Sequence, residues 1–467
     1  MPARHLKRTA RQAARRVVVS IGKRFPFILR WTRKALASAR TVSYRRICAK
    51  NPVDPRVVVF EAYSGRSYAC SPRALYQAML SDERFADYEF IWVFLTPMSA
   101  ALAEGGFTVA DLEQPSRAKR ITDDLETILG TEALGELRRA KIVRWGSREY
   151  MRSYARAGTW ISNFVVPPYL TPREGQCYLE TWHGTPLKQL GCDISAGGNV
   201  MYQVRDIHER YRREGTRLTY LISPSRFATD KFATAFDLED TGRSDAIIEE
   251  GYPRNDALIN TTPGQIAAIK ERLSIPADKR VVLYAPTWRD DQHTTGLGYT
   301  FEAGVDFDLL QQEFGDDTIV LFRAHYFIAS RFDFARYDGF VRNVSAVSDV
   351  NDLYLVSDVL ITDYSSVFFD YANLERPIIF FMYDLESYTG NLRSFYLDLD
   401  ELPGPVARAQ DELVDALKSV GEPDAGIAER YRAFNERFNY LDDGHASERV
   451  LARVFPIRQG ASGRAEQ

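Results

Sequence analysis

The sequence predicts an α/β fold of two open parallel-sheet domains that face a central cleft, preceded by a basic N-terminal helical arm. Its 467 residues suffice for two domains and an extension. Short apolar runs alternate with helix-like segments along two stretches of the chain, which favours βαβ units. Residues 1–50 hold 15 of the 60 Lys and Arg and none of the 63 Asp and Glu. This asymmetry sets the arm apart from both domains.

The first set of apolar runs predicts a domain over residues 51–240. Its opening run, residues 56–63, is rich in valine and is followed by turn residues and a helical stretch over 72–80. Later runs cover residues 89–95, 141–145, 158–163 and 177–182. The polar, glycine-containing stretch 236–245 is the predicted boundary with the next domain.

The second set of apolar runs predicts a domain over residues 241–456. It begins near Ala246, and its later runs cover residues 281–285, 318–323, 359–363 and 377–381. Amphipathic helices are expected over residues 411–454, and residues 457–467 are a predicted flexible tail. Because ligands of such domains lie outside the carboxyl ends of parallel strands, the residues at these strand ends are the candidates for binding and catalysis.

The arm, residues 1–50, mixes cations with short apolar runs, which suits an anionic lipid surface; nucleic acid is the competing polyanion. Its apolar runs are too short to span a bilayer and do not resemble a secretory signal. We therefore expect a cytoplasmic protein that lies on the membrane. Cys48, Cys70, Cys177 and Cys192 are expected to be reduced thiols without zinc-finger spacing.

A histidine stands at the end of one predicted strand, in the segment Trp182, His183, Gly184, Thr185 and Pro186. With an ordinary pKa near 6.5, His183 could accept a proton from an attacking hydroxyl. A lone histidine at a turn is more often structural. The surrounding glycine, threonine and proline, typical of a tight turn with exposed N–H groups, favour a functional role.

A second strand delivers Arg323, Ala324 and His325 at its end, a cation and a titratable donor that together suit a phosphate. The alternative is an arginine paired with a carboxylate. A third strand is followed by Ser365 and Ser366 at a helix start, where hydroxyls can bind an anion or merely cap the helix.

Other strand ends supply further candidates, and a metal site is not expected. Asp370 lies one helical turn beyond Ser366, and Arg254 follows a proline-containing turn. Pro286 and Thr287 follow the strand at 281–285. No histidine or cysteine set has metal-ligand spacing, and we expect no tightly bound cofactor; dependence on a free divalent cation stays open.

These motifs together resemble the CDP-glycerol glycerophosphotransferases, bacterial enzymes that prime or polymerise teichoic acids and related polymers. The resemblance covers roughly residues 57–455 and includes the segments 181–188, 251–256, 284–289, 323–326 and 362–366. It implies a GT-B fold of two Rossmann-like domains. The nucleotide would be bound mainly by the second domain, and the acceptor and membrane by the first.

The resemblance also implies residue roles. His183 and His325 would be catalytic. The donor site would be lined by Trp182, Gly184, Thr185, Pro186, Arg254, Pro286, Thr287, Arg323, Ala324, Ser365, Ser366 and Asp370. The implied partners are CDP-glycerol, a lipid-linked polyol-phosphate or glycan acceptor and an anionic membrane surface, with no nucleic acid. The implied location is peripheral, on the cytoplasmic face of the cell membrane.

Three alternatives remain open on the sequence. CDP-ribitol enzymes share the same motifs, and Tyr326 and Ser394 depart from residues that some relatives carry. A GT-B glycosyltransferase that uses a nucleotide-sugar would have the same cleft. A basic-armed protein that binds lipid or nucleic acid through a degenerate cleft is the non-enzymatic alternative.

Overall fold

The computed structural model describes residues 26–95, 129–195, 204–287, 293–294, 298–299, 304–323, 332–386, 395–422 and 424–456. Residues 26–34, 293–294 and 298–299 are described by their backbone alone. The predicted tail at 457–467, half of the predicted arm, Ala324 and His325 lie outside the described residues.

The first domain is built on a parallel sheet of seven strands in the order β3-β2-β1-β4-β5-β6-β7. The strands are β1 (Asp54–Glu61), β2 (Glu89–Phe94), β3 (Lys141–Arg144), β4 (Ala157–Ser162), β5 (Cys177–Glu180), β6 (Tyr220–Ser223) and β7 (Ile247–Glu249). Valine and aromatic residues dominate β1 and β2, which suits strands buried on both faces. In register, Val58 stands opposite Phe90 of β2 and Thr159 of β4.

Helices cover both faces of this sheet. They are α1 (Pro26–Cys48), α2 (Cys70–Ser81), α3 (Thr131–Leu137), α4 (Arg148–Arg156), α5 (Val204–Arg217) and α6 (Arg226–Ala235). Tyr76 of α2 packs with Phe60 and Trp92 on one face. Tyr154 of α4 packs with Trp160 on the other. The two aromatic layers hold the sheet between them.

The second domain repeats this plan on a parallel sheet in the order β12-β11-β8-β13-β14-β15. These strands are β8 (Arg280–Ala285), β11 (Thr318–Phe322), β12 (Val341–Asn343), β13 (Val359–Thr362), β14 (Ile378–Phe381) and β15 (Val406–Ala407); β9 (His293–Thr294) and β10 (Gly298–Tyr299) form a separate antiparallel pair. Its helices are α7 (Asp256–Asn260), α8 (Pro263–Arg272), α9 (Phe307–Phe314), α10 (Val350–Val356), α11 (Val367–Tyr371), α12 (Gln410–Lys418) and α13 (Ala425–Phe438). Both sheets follow the doubly wound strand order of Rossmann-like domains. The predicted fold of two parallel-sheet domains is confirmed.

The change of sheet comes later than the sequence predicted. Phe236 and Leu238, at the predicted boundary 236–245, are buried in the core of the first domain, and β7 pairs with β6 of the first sheet. The polar stretch there is a loop between α6 and β7. The predicted division at 240–241 therefore falls one strand too early, because β7 has three residues and its apolar run resembled the start of the next set.

The arm also joins the first domain before residue 50. Tyr44 and Ile47 of α1 are buried against the face that carries α4. Upstream, residues 35–40 are exposed. The last turn of α1 is thus part of the first domain. Among the described helices, none is long and apolar enough to cross a membrane.

A final helix, α14 (Ala446–Val454), returns to the first domain. Val450 and Leu451 are buried in the same core cluster as Leu75 of α2. The N-terminus of α14 is held by Asp256, whose carboxylate accepts hydrogen bonds from the backbone N–H groups of Ala446 (2.9 Å) and Ser447 (2.8 Å). The chain therefore crosses between the domains twice.

A buried carboxyl in the first sheet makes stability depend on pH. Glu61 of β1 accepts hydrogen bonds from Tyr154 Oη (2.7 Å) and Trp145 Nε1 (3.2 Å), and burial raises its pKa from 4.5 to about 7. A raised carboxyl pKa stabilises the fold at low pH, and this contribution is lost as pH rises from about 4.5 through 7. Because glutamine does not ionise, we expect the free energy of unfolding of Glu61→Gln to fall by about 3 kcal/mol less than that of the wild type over this pH range.

The measurement is urea unfolding of both proteins at pH 5 and pH 8. Glu149→Gln, at a half-buried carboxylate on the helix surface, is the control that retains the wild-type slope. An unchanged slope in Glu61→Gln would show that Glu61 does not titrate in this range.

Candidate active site between the domains

The carboxyl ends of the two sheets meet at an interdomain contact. Tyr396 N donates to Leu187 O at 2.8 Å, and Lys188 forms an isolated antiparallel bridge with Phe395. On another side of the cleft, Tyr68 N donates to Ser348 Oγ at 3.0 Å. Most of the predicted site residues that the structure describes lie along this contact.

His183 follows β5 and is fixed by the end of the neighbouring strand β4. Its Nδ1 lies 2.8 Å from the backbone oxygen of Asn163. A carbonyl oxygen only accepts, so Nδ1 carries the proton and donates it, and Nε2 has the free lone pair. The ring packs beside Trp182, Phe164 and Tyr63, with centroid separations of 4.5, 5.6 and 6.1 Å.

These surroundings change the acidity that the sequence suggested. The pKa of His183 falls from 6.5 to about 4, mainly because the ring is removed from water, and the positive charge of Arg254 is a smaller cause in the same direction. The bond to the Asn163 carbonyl acts in the opposite direction but is the weaker effect. His183 is therefore neutral at physiological pH, in the form that accepts a proton.

The residues around His183 form a strained turn. Trp182 has φ 53°, in the left-handed region that is uncommon for a bulky residue. Its N–H is held by Glu180 Oε1 at 3.0 Å, and its ring packs edge-on against Phe232 and Phe236. Gly184, Thr185 and Pro186 are buried. The turn is thus fixed by contacts with the core of the first domain.

The two domains approach each other closely at Gly184 and Ser366. A Cβ placed on Gly184 would stand 2.8 Å from Ser366 Oγ. Ser366 occupies the N-cap of α11, but its side chain makes no capping hydrogen bond. Simple capping therefore does not explain this serine. Ser365 and Ser366 are both partly exposed, as groups that contact a ligand must be.

This close approach leads to a prediction about Gly184. We expect Gly184→Ala to displace the Ser366 hydroxyl and to lower kcat/KM for the donor about tenfold, because a contact of 2.8 Å leaves no room for a methyl group. In a Ser366→Ala background the same change should have little further effect, since the obstructing oxygen is gone. The measurement is a double-mutant cycle on kcat/KM. Additive losses would contradict the predicted contact.

Thr287 and Asp363 connect the ends of β8 and β13. Asp363 Oδ1 accepts hydrogen bonds from Thr287 N (2.8 Å), Thr287 Oγ1 (2.5 Å) and Tyr364 N (2.6 Å). This buried carboxylate fixes the loop that carries Pro286 and the turn that leads to Ser365. Asp363 was not among the predicted site residues, although it is the last residue of the predicted strand run 359–363.

Arg323 stands at the end of β11, as predicted. Its Nη1 donates to Val347 O at 2.9 Å, and no carboxylate of the described residues lies within ion-pair distance of it. Burial lowers its pKa, and the nearby groups Tyr354 and Tyr63 oppose this effect. An arginine without an ion-pair partner in the described ranges is suited to a phosphate. Ala324 and His325 lie outside the described residues.

Arg254, in the connection that follows β7, pairs with Asp370 of α11. Arg254 Nη2 donates to Asp370 Oδ1 at 2.7 Å, and Nε donates to Oδ2 at 3.1 Å. Both side chains are almost fully buried, and Asn255 Nδ2 also reaches Oδ1 at 3.3 Å. The two charges largely neutralise each other. Contact of Arg254 or Asp370 with the donor substrate therefore stays a prediction.

Asn163 and Tyr63 also lie beside His183 and were not among the predicted site residues. Asn163 Oδ1 accepts a hydrogen bond from Tyr63 N at 2.7 Å, while its backbone oxygen holds His183. Asn163 thus links the ends of β1, β4 and β5. A signal was present, since Asn163 is the last residue of the apolar run 158–163 and polar residues at strand ends are site candidates.

No cluster of three histidine, cysteine or carboxylate side chains that could hold a metal occurs among the described residues. The four cysteines are free thiols. The described site presents one neutral histidine, one arginine without an ion-pair partner in the described ranges and several hydroxyls, a set that suits proton transfer and phosphate binding.

Comparison with known proteins places the chain in a family. The teichoic acid poly(glycerol phosphate) polymerase of Bacillus subtilis (strain 168) is 37% identical over 411 residues, which are 88% of this chain and 50% of the relative. The teichoic acid glycerol-phosphate transferase of Staphylococcus aureus (strain NCTC 8325) is 35% identical over 413 residues, 88% of this chain and 95% of the relative. The chain therefore spans about half the length of the polymerase and nearly all of the transferase.

Solved structures agree with these sequence matches. The wall teichoic acid polymerase TagF superposes with a TM-score of 0.73 at 35% identity, covering 90% of this chain and 94% of that chain. A histidine-to-asparagine variant of the same protein, soaked with CDPG, gives 0.73 at 34% identity with the same coverage. The model of the CDP-glycerol:poly(glycerophosphate) glycerophosphotransferase family matches residues 43–456. The chain belongs to this family.

Proposed function

We propose that the protein transfers glycerol phosphate, or a related polyol phosphate, from CDP-glycerol to a hydroxyl of a polymer or lipid-linked acceptor and releases CMP. The observation that carries this proposal is the state of His183, whose Nδ1 is committed to the Asn163 carbonyl and whose low pKa leaves Nε2 unprotonated. The product would be a phosphodiester of the teichoic acid type.

The reaction divides between the two domains. The acceptor oxygen forms a bond to the β-phosphorus of CDP-glycerol, and Nε2 of His183 takes the hydroxyl proton. The bond between the β-phosphorus and the bridging oxygen breaks, and its electron pair leaves with CMP. A base fixed in one tautomer needs no reorientation during this step.

The second domain is proposed to hold the donor phosphates. Arg323 has no carboxylate partner in the described ranges, and the Ser366 hydroxyl is not used for capping. Both groups can donate to phosphoryl oxygens as charge develops on them. His325, next but one to Arg323, is proposed to act with them as the second catalytic histidine.

Product analysis tests this proposal. The purified protein is incubated with CDP-glycerol or CDP-ribitol and a lipid-linked acceptor, and nucleotide release and product length are measured. CMP together with a phosphodiester product supports phosphotransfer. Release of a nucleoside diphosphate would instead identify a glycosyltransferase. The absence of turnover with either donor would favour the non-enzymatic alternative, a binding protein.

The acidity of His183 gives a prediction for the pH profile. Because the unprotonated ring is the active form, activity is lost as pH falls through the pKa of about 4. We expect kcat/KM to stay level between about pH 5.5 and 8, with circular dichroism confirming the fold at each pH. A decline that begins near pH 6.5 would show that the ring is solvated in the working enzyme.

We also propose that the protein binds the cytoplasmic face of the membrane through α1. Leu36 and Val42 are 63% and 46% exposed, and exposed Arg45 and Arg46 lie in the last turn of the same helix. Apolar and cationic side chains on one exposed helix suit an interface with anionic lipid.

Point variants test this better than removal of residues 1–50, which would also delete the buried Tyr44 and Ile47. We expect Leu36→Glu/Val42→Glu to reduce co-sedimentation with phosphatidylglycerol vesicles. Ile259→Glu, at a 46% exposed residue of the second domain, is the control that should bind as wild type. Equal binding by all three proteins would overturn the assignment.

A further inference from the structure

A basic pocket lies in the first domain, away from the interdomain site. It is bounded by α1, α4 and the sheet edge at β2 and β3, and its volume is about 690 Å³. This lies within the range of ligand-binding pockets. Six of its lining side chains are lysine or arginine and one is a carboxylate, and none of the lining residues belongs to the site around His183.

Part of the positive charge is neutralised within the protein. Glu149 pairs with Lys141 at 2.7 Å and with Arg152 at 3.3 Å. Arg156 pairs with Glu89 at 2.7 Å and, through its other terminal nitrogen, with Asp54 at 3.1 Å. These three cations are therefore held in place at the pocket wall.

The remaining three cations have no such partner. Arg46, Lys50 and Arg148 are exposed, and no carboxylate in the described ranges lies within 4.0 Å of them. Cations gathered in one concave site without compensating charge repel one another and attract an anion. Along α4, Arg148, Arg152 and Arg156 recur at every fourth residue, about 6 Å apart.

A buried hydroxyl provides an independent indication of a ligand. Ser153 lines the same pocket, is 3% exposed, and its Oγ has no hydrogen-bond partner. A buried hydroxyl without a partner costs free energy, and an anionic oxygen in the pocket would accept its hydrogen bond.

We propose that this pocket binds the phosphate groups of an anionic ligand. Arginine forks match the geometry of phosphoryl oxygens, and the row of arginines on α4 can contact more than one phosphate. Two sources share this chemistry: the headgroups of anionic phospholipid, and the phosphodiester groups of a soluble or polymeric ligand. The site is distinct from the proposed donor site and does not depend on the transfer reaction.

Binding of inorganic pyrophosphate, measured by calorimetry, tests the pocket. We expect Lys50→Glu/Arg148→Glu to weaken binding at least tenfold. The control Arg432→Glu/Arg453→Glu changes the net charge equally at exposed arginines of α13 and α14 and should leave affinity unchanged. Ser153→Ala keeps every charge and should weaken binding about two- to tenfold.

Equal affinity in all four proteins, or equal weakening by both charge reversals, would overturn the proposal. The same variants are then sedimented with vesicles of phosphatidylglycerol in phosphatidylcholine. Weakened sedimentation of Lys50→Glu/Arg148→Glu alone would identify lipid headgroups as the source. Unchanged sedimentation with lost pyrophosphate binding would identify non-lipid phosphate.

Discussion

Replacement of His183 by asparagine is expected to lower kcat by about 10²–10⁴-fold, the usual contribution of a general base. Asparagine can still donate to the Asn163 carbonyl as Nδ1 does at 2.8 Å, but it offers no group that accepts a proton at neutral pH. Donor affinity should change little. The measurements are the rate of CMP release and the Kd of CDP-glycerol by calorimetry.

His208 provides the matched control for this prediction. Its Nε2 also contacts a backbone oxygen, that of Ile194 at 3.0 Å, but it lies on α5 outside the site. His208→Asn should retain wild-type turnover. Normal turnover in His183→Asn would refute the assignment of the base, and a parallel loss of donor binding would make His183 a binding residue instead.

Replacement of Arg254 by alanine is expected to lower the free energy of unfolding by about 3–5 kcal/mol, the cost of leaving a buried carboxylate uncompensated. Asp370 receives two hydrogen bonds from this arginine in a nearly solvent-free position between the domains. Asn255 alone cannot replace the lost charge. The measurement is urea unfolding followed by circular dichroism.

A double replacement separates the structural role from donor binding. Arg254→Met/Asp370→Leu removes both charges, and we expect it to recover much of the stability that Arg254→Ala loses, because no unpaired charge remains. Wild-type stability of Arg254→Ala together with a raised KM for CDP-glycerol would show instead that Arg254 is a donor ligand.

Much of the fold was predictable because strand composition is a strong signal. The runs around Val58, Ile91, Leu283, Leu321 and Ile361 are apolar and lie in buried strands of parallel sheets. The short strands β6, β12 and β15 have two to four residues and were not among the predicted runs, whereas β7 was detected near Ala246 but assigned to the wrong sheet. The misplaced domain boundary follows from β7.

The site was predictable in position more than in chemistry. Residues at strand ends must lie near the cleft, and the described candidates His183, Thr287, Arg323 and Ser366 do so. Partners come from distant parts of the chain, so the sequence did not reveal that Asn163 fixes the tautomer of His183. The low pKa of His183 likewise depends on rings that pack around it only after folding.

The double passage of the chain between the domains limits how they can move. One passage follows β7 and the other precedes α14, and they are bonded together: Tyr252 N donates to Asp442 Oδ1 at 3.2 Å, and Arg449 Nη2 donates to Glu250 O at 3.0 Å. Two adjacent chain connections that are hydrogen-bonded to each other permit rotation of the domains about the axis along these connections. They resist sliding or twisting of one domain against the other. Opening of the cleft should therefore be a rotation of one domain about a single hinge axis. Such a rotation would return Gly184 and Ser366 to the same relative position at each closure.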